Sequence, residues 1–112
     1  MANEVQDIIV KINKKIAEAN LDLSGVKETV AFQFNLTGKL PGVFYIELKD
    51  GKINVEPYEY NDRNALISTT KTNLEKIISG SLKLPIALAT GKVKVEGDLE
   101  KVKMLGAILK NQ

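Results

Sequence analysis

Glu47 and Glu56 stand either side of the dipeptide Asp50-Gly51. A hairpin folded at that turn would carry both carboxylates on paired strands, the arrangement from which a general acid and base pair is built. Opposed polar residues on an exposed strand face give the same pattern without any chemistry. Ser79 and Ser81 each lie near a lysine, yet their spacing suits helix-end capping as well as a Ser/Lys dyad. The chain has no His and no Cys, so thiol nucleophiles, imidazole-based triads, disulfides and Cys/His zinc sites are excluded. Neither phosphate-loop motif, G-x-G-x-x-G or G-x-x-x-x-G-K-[ST], occurs. The expectation is a chain that is not an enzyme and uses no metal or cofactor.

The more informative residues are apolar and lie near the C-terminus. On a wheel advancing about 100° per residue from Leu99, the side chains Leu99, Val102, Leu105, Gly106 and Leu109 share an arc of roughly 120°. Met104 and Ile108 fall about 60° to 100° beyond its edge. A helix that only closed a core needs the first group, so the second pair points to an extra apolar contact: a ligand, a partner or a lid position. Gly106, in mid-helix, costs about 1 kcal/mol relative to Ala and suggests close packing or a loosely held helix.

Val5, Ile8, Ile9, Ile12 and Ile16 have the spacing of a first helix, with Asn3 as its cap and Gln6 able to bond back. From Val30 the period becomes two, with Val30, Phe32, Phe34 and Leu36 on one face and Ala31, Gln33, Asn35 and Thr37 on the other. That pattern predicts a half-buried strand. A second strand follows at Phe44, Ile46 and Leu48, then the Asp50-Gly51 turn, and a third strand at Ile53 and Val55 that stops before Pro57. Ala65 to Thr70 reads as a fourth. Thr72 and Glu75 form a capping box for a helix carrying Leu74, Ile77 and Ile78 and ending at Gly80. Pro85 and Gly91 bound a short helix with Leu84, Ile86 and Leu88. A strand over Lys92 to Glu96 and a helix capped by Asp98 complete the order. Three consecutive hairpin-linked strands with helices collected elsewhere predict an α+β domain whose helices cover one face of a mostly antiparallel sheet.

The 112 residues form one expected domain, 1–112, large enough for about two thirds of its surface to be buried. Net charge is +2, and Arg63 is the one arginine among 16 basic residues. Arginine supplies the fork that reads bases, so no nucleic-acid partner is expected. The basic surplus lies after residue 82 and includes Lys92, Lys94, Lys101 and Lys103, which suggests weak contact with an anionic membrane surface. No apolar run reaches the roughly 18 residues of a membrane span, and the N-terminus has no basic-then-apolar leader. Lys110-Asn111-Gln112 is not a peroxisomal address of the Ser-Lys-Leu type, and a cytoplasmic protein is expected. Asn35-Leu36-Thr37 matches a glycosylation acceptor inside a strand pattern and is read as chance.

Two stretches, Gly42-Val43-Phe44-Tyr45-Ile46-Glu47-Leu48-Lys49-Asp50-Gly51-Lys52 and Gly91-Lys92-Val93-Lys94-Val95-Glu96-Gly97-Asp98 before an apolar helix, resemble the sterol carrier protein type-2 domain. So does the order between them, a Thr-rich strand, a helix ending at Gly80 and a short helix running to Gly91. The resemblance spans about residues 25–110 and leaves 1–24 to the N-terminal helix.

The resemblance implies a twisted five-stranded sheet, helices on one face, and a hydrophobic tunnel between them for a fatty acid, fatty acyl-CoA, isoprenoid or sterol-like lipid. It implies non-enzymatic binding and intracellular transfer of that ligand. The alternative is an accessory scaffold or interaction module that presents lipid intermediates to partner enzymes or docks on them. The matching ligand-binding positions are Phe44 and Ile46 on the second strand and Leu74, Ile77 and Ile78 on the helix before Gly80. Ile86 and Leu88 before Gly91, and Met104, Leu105 and Ile108 on the last helix, complete the set. Each position is equally suited to ordinary core. The chain looks like a stand-alone microbial form, for which an acyl chain or isoprenoid is a safer ligand than sterol. A dry tunnel of about 500 Å³ would cost up to about 12 kcal/mol, comparable to a domain's whole stability, so it is expected to be filled or closed by movement of the last helix.

Overall fold

A computed structural model describes residues 5–19, 21, 23–39 and 41–109. Its elements are helix α1 (Gln6–Ala19), strands β1 (Val30–Thr37), β2 (Gly42–Lys49), β3 (Lys52–Glu56) and β4 (Ala65–Thr70), helices α2 (Lys71–Ser79) and α3 (Leu84–Ala89), strand β5 (Lys94–Gly97) and helix α4 (Leu99–Ile108). The expected cap of α1 at Asn3 lies outside the described residues.

The five strands form one sheet in the order β3-β2-β1-β4-β5. Every pairing is antiparallel except β1 with β4, which is parallel and sets Phe32 beside Ala65 and Thr37 beside Thr70. The β2–β3 hairpin turns through Asp50 at φ 53° and Gly51 at φ 75°, the two positive-φ positions that a two-residue loop requires. Phe34 and Phe44, opposite each other in the ladder, stack with ring centroids 4.7 Å apart and planes 3° from parallel.

Alternate residues of the sheet, Phe32, Phe34, Phe44, Ile46, Leu48 and Ile67, enter one core with Ile8 and Ile12 of α1, Leu74 and Ile77 of α2, and Leu105 and Ile108 of α4. The helices therefore cover a single face. On the opposite face the period-two pattern misleads in the central strand, where Ala31 and Gln33 are buried as well. The segment after Pro57 folds back over them. The Asn64 amide donates to the Ala31 carbonyl at 2.8 Å, and Asn64 Oδ1 accepts from the Ala31 amide at 2.8 Å. Gln33 Oε1 accepts the Tyr60 amide at 2.9 Å.

The start of α2 also differs from expectation. Thr70, still extended at φ −81° and ψ 158°, is the cap, and its Oγ1 accepts the Asn73 amide at 3.1 Å. Strand β4 thus passes directly into the helix, and Thr72 lies inside the first turn instead of capping it. The other punctuation stands as read. Gly80 adopts φ 90° after α2, Pro85 sits in the first turn of α3, and Asp98 caps α4 by accepting the Lys101 amide at 3.2 Å.

Candidate functional site

A groove of about 930 Å³ runs between α3, the β5 segment and α4. Helix α3 contributes Leu84, Pro85, Leu88 and Ala89. The next stretch contributes Gly91, Val93, Lys94 and Val95, and α4 contributes Leu99, Val102, Lys103 and Gly106. Among the described residues no carboxylate lines it. Beneath it lies a void of about 10 Å³ bounded by Phe34, Ile67, Thr69, Leu74 and Ile77 from the sheet and α2, with Leu105 of α4 and Leu109 just past its end. That volume holds at most about one water. Leu84, Val93 and Val102 border both spaces and form the partition between them.

Local sequence explains why the groove is there. Helix α3 is a six-residue turn with no charged side chain. It is pinned by the fully buried Ala87, whose carbonyl accepts the Val93 amide at 3.2 Å. Gly91, at φ 78°, reverses the chain between α3 and Val93. Small residues at Ala89, Gly91 and Gly106 leave space where larger side chains would meet. The joint into α4 is tight: the Asp98 amide donates to the Asn64 carbonyl at 2.9 Å. A Cβ on Gly97, at φ 117°, would lie 2.4 Å from that carbonyl oxygen.

Helix α4 has two adjoining apolar faces. Leu99, Val102, Lys103 and Gly106 occupy an arc of about 100° that faces the groove, and Leu105, Ile108 and Leu109 occupy the next arc toward the core. The expected extra contact at Met104 and Ile108 lies on the core side. Ile108 is buried, and the half-buried Met104 packs against the same cluster. Leu99, expected to close the core, is 59% exposed at the groove.

The expected ligand-binding residues separate into four groups. Leu88 lines the groove, and Leu74, Ile77 and Leu105 line the void. Phe44, Ile46, Ile78 and Ile108 are buried in the core and border neither space. Ile86 is 54% exposed on the outside of α3, and Met104 borders neither space. The groove residues that were not anticipated, Leu99, Val102 and Gly106 above all, belong to the arc of α4 read as core. The signal for them was the same wheel, which is apolar over too wide an angle for one contact.

The candidate acidic pair does not form a reacting couple. Glu47 is opposite Asn54, and Glu56 is opposite Tyr45. Glu47 accepts hydrogen bonds from the Tyr60 hydroxyl at 2.8 Å and from Asn54 Nδ2 at 3.1 Å. The bond from Tyr60, then that from Asn54, lowers the Glu47 carboxyl below its ordinary range. The same bond to Glu47, with desolvation behind it, raises the Tyr60 hydroxyl to about 12. Among the described residues no group of acidic side chains could hold a metal ion, and no helix is long and apolar enough to cross a membrane.

Among the four lysines of the basic surplus, Lys94 and Lys103 line the groove. Lys92 lines a neighbouring polar concavity of about 290 Å³ that shares Gly91 and Lys94 with the groove. Lys101 points elsewhere and is paired with Glu28.

The model of the SCP-2 sterol transfer family matches residues 9–110. Among curated proteins, human hydroxysteroid dehydrogenase-like protein 2 is 32% identical over 87 residues, covering 76% of this chain and 21% of its own length. The chain thus spans about a fifth of the length of the curated relatives it matches. Among solved structures, sterol carrier protein-2 like-3 from Aedes aegypti superposes with a TM-score of 0.69 at 18% identity, covering 99% of this chain and 100% of that one. Sterol carrier protein-2 from Aedes aegypti in complex with the C16 fatty acid palmitate superposes with a TM-score of 0.67 at 20% identity, covering 97% and 96%. At these identities the structural likeness shows the fold.

Proposed function

The chain belongs to the SCP-2 sterol transfer family, and from that premise we propose that it binds a hydrophobic ligand in the groove between α3 and α4 and carries it, chemically unchanged, within the cytoplasm. The carrying observation is the groove itself, about 930 Å³ of mostly apolar lining in a domain whose remaining core is closed. Each methylene buried contributes about 0.8 kcal/mol, so about ten methylenes of an acyl chain gain about 8 kcal/mol before the cost of immobilising them. Palmitate bound to a neighbour of the same fold supports a fatty acyl chain as the first ligand to test.

The partition of Leu84, Val93 and Val102 suggests how an open groove becomes an enclosed tunnel. A chain that displaces these side chains joins the groove to the void beneath and reaches Leu74, Ile77 and Leu105, three of the positions expected from sequence. Exchange with a membrane follows from the rim: Lys92, Lys94 and Lys103 are exposed around the opening, where they attract an anionic surface. Sedimentation with vesicles that does not change with anionic lipid content would remove that contact.

A second reading is favoured by the length of the curated relatives, in which the matched segment is about a fifth of the protein. On that reading the present domain is an accessory module that presents a lipid to a partner enzyme. Native mass spectrometry followed by organic extraction tests the main reading. A stoichiometric lipid released from the purified protein supports the carrier. An empty protein that also takes up no palmitate overturns it.

A further inference from the structure

The groove has a chemical direction. At its α3 wall the lining is wholly apolar, through Leu84, Pro85, Leu88 and Ala89. Its charged groups are Lys94 on β5 and Lys103 on α4, two cations on different elements, with apolar Val95 and Leu99 also in the wall. Lys94 has no ion-pair partner among the described residues. Lys103 has only a loose one, Glu100 at 3.4 Å within its own helix, and both members of that pair are largely exposed. Among the described residues no acidic side chain enters the lining to neutralise either lysine. Past Lys94 the surface changes character at once: the concavity that shares Gly91 and Lys94 with the groove is lined by Thr37, Ser68, Thr70 and Lys92.

Building on the carrier reading, we propose that the ligand is an anionic single-chain amphiphile, whose chain lies along α3 and whose carboxylate or phosphate head is held by Lys94 and Lys103. An uncharged lipid of the same length leaves both cations unmatched and gains nothing from them. The two lysines are then specificity-determining residues, separating fatty acids and alkyl phosphates from alcohols and sterols. Two exposed cations contribute modestly, so the selectivity is about threefold to tenfold at low salt and is screened away at high salt.

Equilibrium dialysis of the delipidated full chain against radiolabelled palmitate, hexadecyl phosphate and hexadecanol tests this. Each ligand is measured below its aggregation threshold, at low salt and at roughly 0.5 M salt. The expected result is tighter binding of palmitate and hexadecyl phosphate than of hexadecanol. In the Lys94→Gln/Lys103→Gln double variant that preference disappears, because palmitate and hexadecyl phosphate fall to the affinity of hexadecanol. The Lys94→Arg/Lys103→Arg variant restores the preference, which a merely structural role for the lysines would not predict. The stronger of the two anions identifies the head as carboxylate or phosphate. Equal binding of all three ligands, with no effect of the Gln variant, overturns the head-group assignment and leaves the carrier reading intact. No binding of any ligand overturns the carrier reading and this inference with it.

Discussion

Two ion pairs stitch α1 to α2, Lys11 to Glu75 at 2.7 Å and Lys71 to Asp7 at 3.0 Å, whereas α3 carries no charged residue with which to be stitched to α4. The contrast extends inward. Ile8, Ile9 and Ile12 bury one stripe of α1 against the core shared with α2, and the concavity left between these helices is small and walled mainly by Lys11, Lys14, Lys15 and Glu18. Between α3 and α4 the small residues Ala89, Gly91 and Gly106 keep apolar walls apart. One pair of helices is built to be full and the other to be filled. A fold can place a binding space in its core layer without loss of definition when a neighbouring half supplies the closed packing.

The sharpest break in this contrast is at the joint into α4. Gly97→Val sets a β-branched side chain at φ 117° against the Asn64 carbonyl and is expected to cost about 4 kcal/mol of unfolding free energy by urea denaturation. Next comes a matched pair of truncations. Ile12→Ala in the full half costs about 3 kcal/mol. Leu88→Ala in the groove costs under about 1 kcal/mol and instead weakens palmitate binding, because a ligand in the groove makes the contacts that protein atoms do not. Equal destabilisation by both would erase the distinction.

Hydrogen exchange sharpens it further. With palmitate at about a hundred times its Kd, amides of α4 exchange up to about a hundredfold more slowly, and those of α1 change little. Uniform protection in both states would show that α4 is not the element the ligand orders. Smaller effects belong to the fixed regions. The raised Tyr60 hydroxyl contributes stability that is complete below pH 10 and is lost as pH rises from 10 toward about 12. The lowered Glu47 carboxyl contributes stability present above its ordinary 4.5 and lost as pH falls below that value. Denaturation curves of Tyr60→Phe should show both limbs flattened and palmitate binding unaltered. The least effect is at Lys11→Ala, where loss of an exposed pair costs no more than about 1 kcal/mol.

The strands and their hairpins were legible in the sequence because alternation and Asp50-Gly51 are local signals. The parallel pairing of β1 with β4 was not, since alternation in Ala65 to Thr70 records which face is buried and nothing about the direction of the neighbouring strand. Burial of Gln33 was hidden for a similar reason: its cover comes from Tyr60, 27 residues away. At the site, the helix wheel of α4 revealed an apolar surface too wide for one contact. Which part of it meets the core depends on where α3 stops, a property of Ala87, Gly91 and Val93 that a wheel of α4 does not contain. Phe44 and Ile46 illustrate the converse difficulty, because a core side chain and a tunnel side chain obey the same alternation.

The parallel pair at the centre of the sheet also fixes the order in which the molecule can be assembled. Strands β1, β2 and β3 meet through short turns, whereas β4 reaches β1 only after a connection of nearly thirty residues has been closed, which is slow relative to hairpin formation. The meander can therefore exist before either wall of the groove is in place. On a ribosome it emerges after α1 and ahead of β4, α2, α3 and β5, and α4 follows them. Leu88 and Val102 remain uncovered until α4 docks, which makes side chains that hold a ligand in the finished protein a surface open to misassociation in the unfinished one.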